Sequence, residues 1–494
     1  MQRFNQQVLE HNLNNAMAHL DNESRLIATP WSRIVRGLGL GQYPVSYNET
    51  ISLWIQNAFD ELKDKTESKN NYVNFSSLLC DFICLLVKPG QTLSEHDKQV
   101  YIFNILFLIN YELDPYRRIM QYSITIDALA KLNINLFDLL ENTIDLPGLL
   151  FRSINEIQSN GIKDENSGRH GDYEKLSAYT SVFFALAACD KADLAVTRSR
   201  NHIADALKTL ENIPSPFFRG RGGSMLFSAI SLLGYSEVLY KHGRDYIIEM
   251  LDYLDSADTL GINPSFPQSM SPEFVKVYPL LTLLNSIAAT GHHQALNYRQ
   301  DRVRQASELL EALTPVERTH MGLYYITAVY NLGLIDQEKH RVNALVEQLG
   351  QTAEVIDPSE NYFLHGIACS YVIETAMITG KQHLITDRLL NTLADSFSTM
   401  DKRFEDEINR PYPFAYALTM LAEAGHVDKL FEPSPRYDNQ SATSWMIGNL
   451  AQIGDGTDGR LYMFNHALIN LMLRMRGTRF PALNAYSGFN FKAA

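Results

Sequence analysis

The sequence predicts an all-α protein: an α/α toroid of six or seven helical hairpins over residues 173–494, preceded by a further helical region. Three observations carry that expectation. Glycines recur behind apolar helical runs, two kinds of helix alternate between them, and no stretch shows the period-two alternation of a strand.

Gly243, Gly291, Gly333, Gly380, Gly425 and Gly477 each follow an apolar run that contains aromatics, as in Tyr240-Lys241-His242-Gly243 and Glu423-Ala424-Gly425. A glycine just past a helix end takes the left-handed conformation that satisfies the last carbonyls. The steps are roughly 42 to 52 residues, close to the periods of helical-repeat architectures. Cys189-Asp190 closes an earlier run, Tyr173 to Ala188, at the same phase.

Residues 1–158 read as helices over Gln2–Leu20, Ile51–Leu62, Tyr72–Val87, Asp97–Tyr111 and Leu136–Ile157, broken at Pro89-Gly90 and without the glycine phase. Residues 159–172, rich in Asn, Gly, Lys, Asp and Glu, read as a linker. Beyond it, Ile203–Leu210, Tyr246–Leu254, Val303–Leu313, Val342–Leu349 and Leu384–Phe397 are amphipathic and predict half-exposed outer helices. Ala178–Phe184 and Leu323–Tyr330 are less charged and richer in aromatics, the pattern of helices buried on several sides. Long connections (Pro214–Gly223, Asp255–Pro272, Gln351–Asn361, Met400–Pro411, Asp428–Ser441) run from outer to inner helices, against short glycine turns on the return. That asymmetry favours a closed barrel with a functional rim over an open solenoid.

The formal net charge of -13, from 43 basic and 56 acidic side chains, argues against general nucleic-acid binding, which needs basic residues in excess. Met1 to Leu20 is polar and does not read as a signal peptide. Phe75–Val87 and Val100–Ile109 fall short of the roughly 20 apolar residues that span a bilayer, so the expected location is the cytoplasm. Of the four cysteines, Cys80 and Cys84 share one helix face and read as small buried residues, and with Cys189 and Cys369 they form no disulfide framework.

In an α/α toroid the N-terminal ends of the inner helices open onto one rim, where their dipoles favour anions. Pro216-Phe217-Phe218-Arg219-Gly220-Arg221-Gly222-Gly223-Ser224 reads as a glycine-rich loop whose Arg219 and Arg221 would hold a phosphate or carboxylate. No strand precedes it, so it is neither a nucleotide-hydrolase loop nor a dinucleotide fingerprint. Asp252, Asp255 and Asp258, three apart at the end of an outer helix, repel one another and want a compensating cation, metal or proton. Further rim candidates are Glu317, Arg318 and His320; Asp357, Glu360 and His365; Asp406, Glu407 and Arg410; and Asp455, Asp458, Arg460 and His466. Singly, each reads as a helix cap or surface pair before a catalyst; repetition at one rim is what points to acid/base work. His292-His293 lacks metal-site spacing, and no metal is assigned. Tyr324, Tyr325, Tyr416 and their inner-helix neighbours would pack the interior or line a cavity for a hydrophobic substrate.

Asp255-Ser256-Ala257-Asp258-Thr259 resembles the Asp-x-Asp-Asp-Thr motif of the class II terpene cyclases, bacterial enzymes built from helical α/α barrels. Asp255, Asp258 and Thr259 match; Ala257 stands where that family has its general acid. Outside this segment the resemblance is architectural, over roughly residues 170 to 477. It implies a cyclase- or lyase-like enzyme of the isomerase or lyase class, and Mg2+ where the substrate is a diphosphate; the residues themselves require no cofactor. Lanthionine cyclases and glycan-processing enzymes share the toroid.

The leading expectation is therefore an α/α-barrel enzyme acting on an isoprenoid-like or other hydrophobic anionic small molecule. Asp255 and Asp258 would be the catalytic acids, and Arg219, Arg221, Tyr324, Tyr325, His365 and Tyr416 would bind substrate. The competing expectations are a helical-repeat scaffold for a peptide or protein partner, and a glycan-processing or peptide-cyclising enzyme on the same toroid.

Overall fold

The computed structural model describes residues 93–110, 112–159, 162–164, 169–241, 243–256, 271–355, 362–399 and 412–445, with Leu79, Phe82, Ile83 and Leu86 as helical positions before them. Its helices are α1 (Glu95–Asn110), α2 (Pro115–Ala130), α3 (Leu136–Leu140), α4 (Leu146–Glu156), α5 (Gly171–Ala188), α6 (His202–Glu211), α7 (Pro216–Leu232), α8 (Tyr246–Asp255), α9 (Pro272–Thr290), α10 (Arg302–Ala312), α11 (Pro315–Asn331), α12 (Lys339–Ala353), α13 (Tyr362–Thr379), α14 (Asp387–Ser396) and α15 (Tyr412–Ala424). Two antiparallel pairs interrupt this all-α order: β1 (Ile162–Asp164) with β2 (Arg169–His170), and β3 (Pro433–Ser434) with β4 (Gln440–Ser441). The sequence shows no strand because two or three residues are too few to display an alternation.

The chain divides into two compact units, one holding Pro115–Ile356 with Glu374–Leu384. In that unit α2, α5, α7, α9 and α11 form an inner row, each packed on the next. An outer layer fills the grooves between neighbours: α4 on α2 and α5, α6 on α5 and α7, α8 on α7 and α9, α10 on α9 and α11, with α12 on α11. Burial follows the two sequence patterns. Every residue of α11 from Thr319 to Val329 is buried, whereas α8 buries only Ile247, Met250 and Leu251. The described residues show a two-layer stack; extensive packing of α2 against α11, which would close it into a ring, is not among their contacts.

Each inner helix is started and stopped by local chemistry. Ser215-Pro216, Ser271-Pro272 and Thr314-Pro315 place a capping hydroxyl before a proline whose fixed φ suits the first helical position. Left-handed residues follow the ends: Asn133, Asp190, Gly234, Gly291, Gly333 and Gly380. In five of these, the next residue's amide reaches back to close the last turn, as Lys191 N–H does to the Leu186 carbonyl and Tyr235 N–H to Ile230. This amends the sequence reading twice. The glycine that ends α7 is Gly234, because Tyr240 to Gly243 follows a short 3₁₀ turn, Ser236–Leu239. The same phase also extends upstream of residue 158, to Asn133 behind α2, where a non-glycine residue hides it.

The residue after the cap ties one hairpin to the one before. Lys191 meets Asp138 at 2.7 Å, His292 meets Asp245 at 2.8 Å, and Lys381 meets Glu347 at 2.9 Å.

The other unit contains α1, the start of α13, α14, α15 and the β3–β4 pair. Tyr371 stands edge-on to Tyr416 at 5.3 Å, and Phe397 to Phe414 at 5.2 Å. Buried Tyr437 donates to the Ala394 carbonyl, and the Ser434 hydroxyl donates to Asp395 at 3.2 Å. Asp438 and Asn439, both left-handed, turn the chain between β3 and β4.

Candidate functional site

The glycine-rich segment 216–224 is helix from its first residue, not a loop. The Ser215 hydroxyl accepts from the Phe218 amide, and Pro216 occupies the first helical position. Its glycines serve close packing. A side chain at Gly220 would meet Pro279 Cβ at 2.8 Å, and one at Gly222 would meet Leu176 at 2.8 Å. At Gly223 the obstacle is Met250, at 2.6 Å. Three glycines thus let α7 approach α9, α5 and the outer layer at once.

Helical geometry separates the two arginines, since residues two apart point roughly 200° from each other. Arg219, half-buried, lies over the Tyr253 ring of α8 at 4.3 Å. Arg221 points inward and is 1% exposed, its guanidinium carbon 5.6 Å from the centre of the Tyr278 ring. The two do not converge on one group.

Around Arg221 the inner row assembles an aromatic cluster. Tyr116 of α2, Tyr173 of α5, Tyr278 of α9 and Tyr324 of α11 all act electrostatically on its charge. Tyr278 and Tyr324 pack edge to face at 5.2 Å. Phe218 lies 4.9 Å from Tyr173 and Phe217 5.8 Å from Tyr278, while His320 sits 5.8 Å from Phe274 and 6.2 Å from Tyr324. Burial opposes the Arg221 charge, and as a guanidinium it nonetheless stays protonated at neutral pH. Burial drives the Tyr278 phenol well above its ordinary value and pushes the His320 imidazole down to about 3. At neutral pH these groups are a cation, neutral phenols and a neutral imidazole. They can donate hydrogen bonds and present ring faces, and their shifted values suit holding a ligand better than passing a proton.

The acidic segment is organised differently. Asp255, last residue of α8, receives a two-pronged contact at 2.8 Å per oxygen from Arg302, whose side chain is 0% exposed. Asp252 meets Arg299 at 3.0 Å and accepts from the Tyr298 hydroxyl at 3.1 Å. The compensating cations that the three-aspartate spacing asks for are thus supplied by α10 and the turn before it. Asp258 lies outside the described residues.

The other rim candidates that can be placed serve as caps. Glu317 closes a capping box with Thr314 and also accepts from the Ser271 amide. Arg318 donates to the carbonyls of Leu310, Glu311 and Leu313 at the end of α10. Tyr325 is fully buried, and its hydroxyl donates to Glu338, just before α12, at 3.4 Å. Tyr416 packs on Tyr371 in the other unit. The His365 side chain lies outside the described residues, as do the candidates at 357, 360, 406–410 and 455–466. So do Cys80 and Cys84; Cys189 and Cys369 are buried, their thiols pushed up to about 12 by burial.

Of the sequence candidates, then, the structure brings together Arg221, Tyr324 and the rim candidate His320. Sequence reasoning missed Tyr116 and Tyr173 as members of the cluster, although Asp114-Pro115 before Tyr116 repeats the capping-residue-then-proline start of α7, α9 and α11. Among the described residues no group of three His, Cys, Asp or Glu side chains could hold a metal ion, and no helix is long and apolar enough to cross a membrane. No protein-family model, curated protein or solved structure matches the chain.

Proposed function

We propose that the inner row curls into an α/α toroid and that its N-terminal end binds a hydrophobic small molecule through an anionic head. The observation that carries this reading is Arg221, buried among tyrosines drawn from four other inner helices. Tyr116 on the first helix of the row and Tyr324 on the fifth both act on Arg221 of the third, which supports a curled row. A guanidinium ringed by phenol donors suits a carboxylate or phosphate, and Phe217, Phe218 and Phe274 suit an apolar body.

The enzymatic form of this reading is an acid/base, cyclase-like reaction on an isoprenoid-like substrate. It would call on Asp258 as the acid, since Asp255 is engaged with Arg302. A second reading, a scaffold for an extended peptide, is favoured by the half-buried hydroxyls of Ser177, Ser181, Ser228 and Thr282 on three successive inner helices.

The test is fluorescence titration with 1-anilinonaphthalene-8-sulfonate, an anionic hydrophobic dye, on the full chain and on Arg221→Lys. Saturable binding, weakened about tenfold in a variant with an unchanged circular-dichroism spectrum, is the expected outcome, a loss of about 1.4 kcal/mol. Equal dye affinity in the two folded proteins would remove Arg221 as the anchor and leave the peptide scaffold as the better reading.

A further inference from the structure

α9 starts as α7 and α11 do, with a hydroxyl cap and a proline, but it alone of the three carries a second proline, Pro279, inside the helix. A proline ring has no amide hydrogen, so the Val275 carbonyl loses the helical partner that residue 279 would otherwise supply. The Thr282 hydroxyl donates back to the Tyr278 and Pro279 carbonyls at 3.1 and 2.9 Å, an arrangement that often accompanies a bend. Pro279 is also where α9 crosses the bare Gly220 of α7, so the helix is held at that point. Beyond it, hydrogen bonds tie α9 to both neighbours. Ser286 donates to the Ser224 carbonyl at 2.6 Å, Asn285 to the Tyr324 carbonyl at 3.5 Å, and Asn331 to Asn285 at 2.9 Å. Before it, α9 presents rings, Phe274 to His320 and Tyr278 to Tyr324, and the Ser271 amide tethers its start by donating to Glu317.

We infer that the segment from Pro272 to Tyr278 is a flap, with Pro279 at the Gly220 crossing as its fulcrum, that carries Tyr278 toward and away from Arg221. The flap is joined to the rest of α9 by one hydrogen bond fewer than an unbroken helix would have, while the part beyond the fulcrum is pinned to α7 and α11. As a hinge it stands on the helix chemistry alone; as the gate of the cluster it rests on the binding reading given above. Its opening would part Tyr278 from Tyr324 beside the guanidinium, so ligand entry and release would both wait on this motion.

Hydrogen exchange of the full chain without ligand, resolved to single amides, tests the hinge. The matched stretches are 219–222 of α7, 275–278 of α9 and 318–321 of α11, which begin at the same distance from their caps. The expected result is exchange roughly tenfold faster or more in 275–278 than in the other two, with Pro279→Ala narrowing that gap and leaving 283–287 unchanged. Equal exchange in the three parent stretches overturns the hinge, and that comparison needs no variant to fold. Stopped-flow mixing with 1-anilinonaphthalene-8-sulfonate tests the gate. Pro279→Ala should slow association and dissociation together, with the affinity within about twofold of the parent. Unchanged rates in a variant whose flap exchange has slowed overturn the gate. A parent that binds no dye removes the binding reading and the gate with it, and the exchange comparison still decides the hinge.

Discussion

Among the described residues two arginines are buried, and their surroundings differ. Arg302 lies between α10 and the end of α8, forked onto Asp255 and bonded to the Tyr298 carbonyl at 3.1 Å and to Gln305 at 3.0 Å. Arg221 lies in the inner row among rings that belong to four other helices. The first is a strut: its donors meet acceptors from the two adjoining hairpins, and its chemistry is used in holding them together. The second is a hub, since it collects side chains from hairpins that are not its immediate neighbours. In a stack stabilised mainly between nearest neighbours, a residue that reaches further is where function or curvature is to be sought.

The comparison can be broken most directly at the strut. Asp255→Ala would leave the Arg302 guanidinium buried without its carboxylate. It should lower unfolding stability by about 3 kcal/mol or more, read as a shift of the urea midpoint. A change under about 1 kcal/mol would mean that Asp255 is free for other work.

A smaller effect is expected at the helix crossing that brings the hub's neighbours together. Gly220→Ala sets a methyl against Pro279 Cβ, which a rigid ring cannot move aside, and should cost about 1–3 kcal/mol. A neutral outcome would show that α7 and α9 have room to part.

The pH response sharpens the account of the hub itself. His320 has a folded value near 3, below its unfolded value of about 6.5, so the unfolded chain binds the extra proton first. Stability from this residue is complete above pH 6.5 and is lost as pH falls toward 3, by about 1.4 kcal/mol per pH unit. Urea midpoints from pH 7 to 5 should therefore fall more steeply for the parent than for His320→Gln. Parallel profiles would contradict a buried neutral imidazole.

The smallest effect concerns the repeat. Asp190 adopts a conformation at φ 54 that glycine takes at no steric cost. Asp190→Gly should raise stability by about 1 kcal/mol, and a loss would show that the Asp190 side chain does more than close a helix.

The all-α class, the alternation of buried and half-exposed helices, and the glycine turns were legible in the sequence because each follows from periodicity or from a backbone need that glycine meets. Asn133 shows the limit of that signal, since a left-handed cap can be filled by another residue and then leaves no glycine to count. The segment around Arg219 and Arg221 misled for a physical reason. Three glycines read as a flexible loop, whereas here they are the bare faces of a tightly crossed helix announced by Ser215-Pro216. Asp255 misled because its partner lies 47 residues away, at Arg302 on the next outer helix. The cluster's membership was partly visible as aromatic inner helices. That Tyr116 and Tyr173 join it depends on how far each helix advances along the row, which no local pattern encodes.

The central claim, that the inner-row cluster at Arg221 is a ligand site, is tested most directly by hydrogen exchange followed peptide by peptide, with and without saturating 1-anilinonaphthalene-8-sulfonate. The account predicts added protection confined to the first ten or so residues of α5, α7, α9 and α11, absent in Arg221→Lys. No added protection there, or protection spread equally over the outer helices, would contradict it.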